Sequence, residues 1–127
     1  MPTILSGCQT THYATGTLEQ NGISVMKSEF TFMKKDQLQT RSYIIVRNDA
    51  LQFPIYLYHL SENNYSALLM KCTHQGTELQ AAGDHLHCPG HGSEFNNKGM
   101  VTEGPAETAL RSFKVTTDPD KVFIYLS

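Results

Sequence analysis

Two short segments constrain this chain more than anything else in it. The first is Cys72-Thr73-His74. Thirteen residues later comes the second, Cys88-Pro89-Gly90-His91. Each sets a thiol and an imidazole two or three residues apart in a loop-forming context, and in a turn such spacing lets both side chains converge. Gly76, Gly90 and Gly92 permit close backbone approach, and Pro89 stiffens the second segment. Between them, Glu78-Leu79-Gln80 and His85-Leu86-His87 flank Ala82-Gly83-Asp84, which reads as a turn. A hairpin there carries both loops at its open end, as a shared metal centre requires.

The rest of the chain reads as strands. Ser42 to Val46 is β-branched and aromatic. Phe53 to Leu60 and Tyr65 to Lys71 flank an Asn-containing turn at 61–64, a hairpin signal. Leu110 to Thr116 and Lys121 to Leu126 flank Thr117-Asp118-Pro119-Asp120, a further hairpin. No window of a dozen residues holds a 3.6-residue apolar period, so the expectation is an all-β fold, a sandwich or partly open barrel. Residues 1–22 read as a loosely ordered lead-in and 23–127 as one domain, with a long loop or short helix between Met26 and Gln39. A chain of 127 residues has room for one core.

A net charge of −2 and the lack of any basic run remove the source of phosphate-driven affinity, so nucleic acid is not an expected partner. No apolar run is long enough for a membrane-spanning helix. Three cysteines, two of them paired with histidines, do not form a disulfide framework. The third, Cys8, ends Leu5-Ser6-Gly7-Cys8, which resembles a lipoprotein acylation site. A charged leader is missing, so that reading supposes that the sequence starts inside a signal peptide. A lipid on Cys8 would put the protein on a membrane surface, periplasmic in a bacterium. Without it, Cys8 is a free thiol and the expected place is the cytoplasm.

Two Cys and two His also make a structural zinc set. In zinc fingers, however, like ligands pair with like, whereas here each loop supplies one Cys followed by one His. That order suits a two-iron cluster with both thiolates on one iron and both imidazoles on the other. The segment resembles the Rieske iron–sulfur family, whose motif is Cys-x-His, a spacer, then Cys-x-x-His. His91-Gly92-Ser93, Gly104-Pro105-Ala106, Leu110 to Phe113 and the terminal hairpin continue the likeness, which runs from about residue 43 to the C-terminus.

The resemblance implies stacked antiparallel sheets with a small cluster-binding subdomain, loops at roughly 68–108, and one [2Fe-2S] cluster. Its ligands would be Cys72, His74, Cys88 and His91. Gly76, Gly90, Gly92, Ser93 and Pro105 would shape the cradle, with the Ser93 hydroxyl donating to a bridging sulfide. The chain departs from the quinol-oxidising branch in three ways. The two cysteines that bridge the loops there correspond to Thr77 and Gly90. The tyrosine that often donates to a cysteine sulfur is Phe95. The residue after the first histidine, often apolar there, is Gln75. One donor kept and one lost implies a potential inside the Rieske range of about −150 to +300 mV, away from its top. Imidazole ligands further imply that electron uptake brings proton uptake at alkaline pH.

Other candidates have plainer readings. His85 and His87 share a strand face and read as surface or loop-packing groups, as do the isolated His12 and His59. Tyr56, Tyr58 and Tyr65 read as core, and Glu103 and Glu107 as solvated. Nucleophile elbows, phosphate loops and dinucleotide fingerprints are missing. The expected role is therefore one-electron transfer to or from a redox protein (a cytochrome, reductase or oxygenase). The carrier would be a membrane-associated respiratory one, or a ferredoxin-like component serving an oxygenase or reductase. A zinc-stabilised binding module is the non-redox alternative.

Overall fold

The structure is a computed structural model and describes residues 11–127. Cys8 lies outside the described residues. The strands are β1 (Tyr13–Thr15), β2 (Thr17–Glu19), β3 (Gly22–Met26), β4 (Thr31–Lys34), β5 (Gln37–Thr40), β6 (Tyr43–Arg47), β7 (Ile55–Ser61) and β8 (Asn64–Leu69). They continue with β9 (Gln80–Ala82), β10 (His85–His87), β11 (Glu94–Asn96), β12 (Val101–Glu103), β13 (Ser112–Phe113), β14 (Val115–Thr117) and β15 (Lys121–Tyr125). No α-helix occurs among the described residues; the one helical element is a 3-10 turn at Lys27–Phe30. The all-β expectation stands.

The strands form a five-stranded sheet in the order β13-β8-β7-β6-β1, with four-stranded sheets β9-β10-β11-β12 and β14-β15-β3-β2 and the hairpin β4-β5. The middle of the five-stranded sheet is covered on both faces. Tyr43, Ile45, Tyr56 and Leu68 pack with the β9–β12 side, while the intervening Ile44, Val46, Ile55, Leu57 and Ala67 pack with β3 and β15. Burial on both faces explains why β6 is an unbroken apolar run rather than an alternating one.

All three expected hairpins are present, each with an adjustment. β7 and β8 pair around 62–63, with a register shift near His59. β9 and β10 pair Gln80 with His87, so the strand expected at 78–80 sits two residues later; Glu78 makes only an isolated bridge to Lys71. Of the segment expected to run from Leu110 to Thr116, only β14 pairs with β15, whereas β13 joins β8.

Residues 11–22 correct the lead-in expectation. β1 pairs with β6 in parallel, Gly16 N–H donates to the Arg47 carbonyl at 2.8 Å, and Asn48 Nδ2 donates to the Gly16 carbonyl at 2.9 Å. These strands are three residues long, too short to show a period in sequence, and tertiary pairing defines them. Between Met26 and Gln39 the structure has the 3-10 turn followed by a hairpin rather than a long loop. Its Lys35-Asp36 tip has positive φ at both residues (52° and 65°), without the Gly or Asn that usually announces such a turn.

Candidate metal centre

The β9–β10 hairpin is closed by a turn at 83–84 and opens toward two loops, residues 72–77 and 88–93. The loops share one backbone plan. Cys72 N–H donates to the Thr77 carbonyl at 2.8 Å, and Gly76 N–H donates back to the Cys72 carbonyl at 2.8 Å. Sixteen positions on, Cys88 N–H donates to the Ser93 carbonyl at 2.8 Å and Gly92 N–H to the Cys88 carbonyl at 3.0 Å. Each closure needs a left-handed residue, supplied by Gly76 (φ 78°) and Gly92 (φ 83°).

This plan splits each Cys/His pair between core and surface. Cys72 and Cys88 are buried beside Leu79, Leu86 and Phe95. His74 and His91 are exposed, with ring centroids 5.1 Å apart and planes at 81°. Burial acts most strongly on the Cys88 thiol and pushes it up, but N–H groups of Gly90 and His91, with Cys72 and the Thr77 hydroxyl, outweigh it. The net result holds the thiol below its ordinary range, favouring the thiolate a metal needs.

Sulfur with sulfur inside and imidazole with imidazole outside is a two-and-two donor set. A tetrahedral zinc would gather all four on one point, whereas a two-iron cluster divides them. The donor chemistry fits the cluster.

The surroundings are well satisfied. Ser93 is fully buried, and its Oγ accepts the Ala106 N–H at 2.9 Å, leaving its own proton free. That bond ties the 104–106 loop to the second ligand loop. Thr73 Oγ1 donates to the Thr108 carbonyl at 2.6 Å and ties the same segment to the first. The Tyr56 hydroxyl donates to the Gly83 carbonyl at 2.8 Å, fastening the hairpin turn to the central sheet; burial pushes this phenol well above its usual range.

The remaining sequence candidates lie elsewhere or serve packing. His85 and His87 sit 3.3 Å from Asp84 and Glu94 carboxylates, His12 is 2.7 Å from Glu29, and His59 stacks on Tyr65. Tyr56 is core, Tyr58 and Tyr65 are half-buried, and Glu103 and Glu107 are exposed. Sequence reasoning missed the Thr73–Thr108 tie, the Ala106 partner of Ser93 and the Thr77 hydroxyl beside Cys88. Only the last left a trace: Thr77 follows Cys72 at the offset at which Ser93 follows Cys88, each after a glycine.

Residues 28–114 match the family model described as the Rieske [2Fe-2S] domain, more than half of the chain. The chain belongs to the Rieske [2Fe-2S] domain family. Its cofactor is accordingly a [2Fe-2S] cluster. Among curated relatives of this Rieske chain, the chloroplastic cytochrome b6-f complex iron-sulfur subunit 1 of Nicotiana tabacum is 34% identical over 83 residues, 64% of this chain and 32% of the relative. The cytochrome b6-f complex iron-sulfur subunit of Synechococcus elongatus is 38% identical over 55 residues, 42% of this chain and 31% of the relative. The chain thus spans about a third of the length of these relatives.

Two solved structures share the fold. The cyanobacterial plasma membrane Rieske protein PetC3 from Synechocystis PCC 6803 superposes with a TM-score of 0.55 at 23% identity, over 65% of this chain and 85% of its own. A chain from the complex of reduced oxygenase and oxidized ferredoxin in carbazole 1,9a-dioxygenase superposes with a TM-score of 0.52 at 25% identity, over 68% of this chain and 82% of its own. No helix among the described residues is long and apolar enough to cross a membrane.

Proposed function

We propose that Cys72 and Cys88 hold one iron of the cluster, that His74 and His91 hold the other, and that the chain passes single electrons through the exposed histidine pair to a redox protein. The observation that carries this reading is the shared closure of the two loops, which buries both thiols and exposes both imidazoles. When bound, the cluster supplies a one-electron couple. The protein contributes everything else. Buried Cys72 and Cys88, under Leu79, Leu86 and Phe95, keep water from the sulfurs. N–H groups of Gly90 and His91 favour negative charge at Cys88. The exposed imidazoles provide the contact edge. Gly76, Gly92 and Ser93 fix the loops, and Pro105 belongs to the segment that Ser93 holds through Ala106.

The test is visible absorption together with electron paramagnetic resonance of the dithionite-reduced protein. A histidine-ligated two-iron spectrum is expected in the wild type, with loss of the cluster in Cys72→Ser and Cys88→Ser. A colourless protein that binds zinc stoichiometrically would sink the assignment.

The partner reading follows the cytochrome-linked relatives: a carrier working at a membrane surface, with an intermediate potential. The second reading, delivery to an oxygenase or reductase, draws on the oxygenase–ferredoxin neighbour, on Phe95, and on the polar edge of the site. Gln75 is exposed, and a groove of about 580 Å³ lined by Lys71, His74, Gln75, Thr108 and Arg111 runs beside the first imidazole. Such an edge suits a partner with a polar, acidic face better than an apolar pocket. A midpoint near the bottom of the Rieske range would favour this second reading, and one well above zero the first.

A further inference from the structure

Thr77 faces Gly90 across the two ligand loops. A Cβ placed on Gly90 would lie 3.2 Å from Thr77 Oγ1, 3.9 Å from Thr77 Cβ and 3.7 Å from Cys88 Sγ. The threonine hydroxyl therefore lies against the open side of Gly90, at a spot that the Cys88 sulfur also borders. Its carbonyl meanwhile closes the other loop by accepting the Cys72 N–H. Thr77 is thus tied to both halves of the site. Phe95 packs in the same buried cluster as both cysteines but has no proton to offer.

We propose that Thr77 is a positioning residue for the cluster: its hydroxyl clamps the 72–77 loop onto the 88–93 loop without a covalent bond and donates to the Cys88 sulfur, holding the potential up. This rests on the ligand assignment above. The physical reason is simple. Reduction adds negative charge that spreads onto the sulfurs, and a donor there stabilises the reduced state more than the oxidised one. Gly90 serves the arrangement by leaving room. An added methyl would press on Thr77 Oγ1 at a separation the hydroxyl can meet only by moving away.

The experiment compares the wild type with Thr77→Ser, Thr77→Val and Gly90→Ala, by mediated redox titration at fixed pH with the paramagnetic resonance spectrum recorded for each. Thr77→Val is expected to shift the reduction equilibrium about tenfold toward the oxidised form, a fall of about 59 mV for one electron. Thr77→Ser should keep the wild-type midpoint, because it keeps the hydroxyl. Gly90→Ala should fall in the same direction as Thr77→Val. A Thr77→Val protein with an intact cluster and an unmoved midpoint overturns the proposal, as does a serine variant that falls as far as the valine one. Should Thr77→Val fail to hold a cluster, Gly90→Ala decides, and an unmoved midpoint there also overturns it. A wild type without the histidine-ligated spectrum would instead sink the ligand assignment, so the two failures are separable.

Discussion

Ser93 is the residue on which most of the centre's local order converges. Its carbonyl closes the second loop and its hydroxyl oxygen takes the Ala106 N–H. Ser93→Ala would strip that buried N–H of its partner, at a cost of roughly 1–3 kcal/mol, and on the proposed reading would also remove a proton donor to the cluster. The expected outcome is therefore a double one: lower thermal stability of the loaded protein, and a lower midpoint. A change in stability without any change in potential would mean that the hydroxyl serves the 104–106 loop alone. At this scale the sequence was informative where chemistry is carried by residue type. Cys72, His74, Cys88 and His91 announce themselves by spacing, and Phe95 and Gln75 by what they lack. Ala106 announces nothing, because a backbone N–H has no signature in sequence. Thr77 was legible as an absent cysteine rather than as a hydroxyl in its place.

Among the elements, the β9–β10 hairpin matters most, since its open end sets the distance between the ligand loops. That distance can be tested covalently. Thr77 Cβ lies 3.9 Å from the ideal Cβ position of Gly90, inside the 3.5–4.5 Å range of natural disulfides. T77C/G90C should form the bridge on mild oxidation, detected by mass under non-reducing conditions, with little backbone movement and without loss of the cluster. Failure to oxidise, or oxidation only with release of iron, would show that the loops sit farther apart in solution. Longer elements were the more legible ones in sequence. The strands β6, β7 and β8 carry five to seven residues and strong β-formers, so their pattern survives reading. The three-residue strands β1 and β2 do not, and neither does a turn made by Lys35 and Asp36, because their conformations come from partners distant in sequence.

At the scale of the molecule, the single core expected from the chain length is divided by the central sheet into two clusters that share no residue. One contains Cys72 and Cys88 with Tyr56, Leu68, Leu79, Leu86 and Phe95; the other contains Ile23, Ile44, Ile55, Leu57, Val122 and Ile124. On the proposed ligand assignment the cluster's binding energy enters the first core, where apolar packing surrounds Cys72 and Cys88 directly. The small β9–β12 sheet has strands of three residues each, so its own ladders are weak and it depends on that core and on the Tyr56–Gly83 bond. The second core is built by β3, β15 and the far face of the central sheet, where the β3–β15 ladder runs over five residue pairs. Removing the iron should therefore act unevenly. Amide hydrogen exchange of protein stripped with acid and chelator is expected to lose protection across residues 71–110, while β3, β6, β7 and β15 keep most of theirs. Thermal unfolding should change from one transition to a broad early loss followed by a main transition. Uniform loss of protection in both cores would mean that the central sheet couples them rather than separating them. Unchanged protection around the ligand loops would mean that the cradle stands without its cofactor.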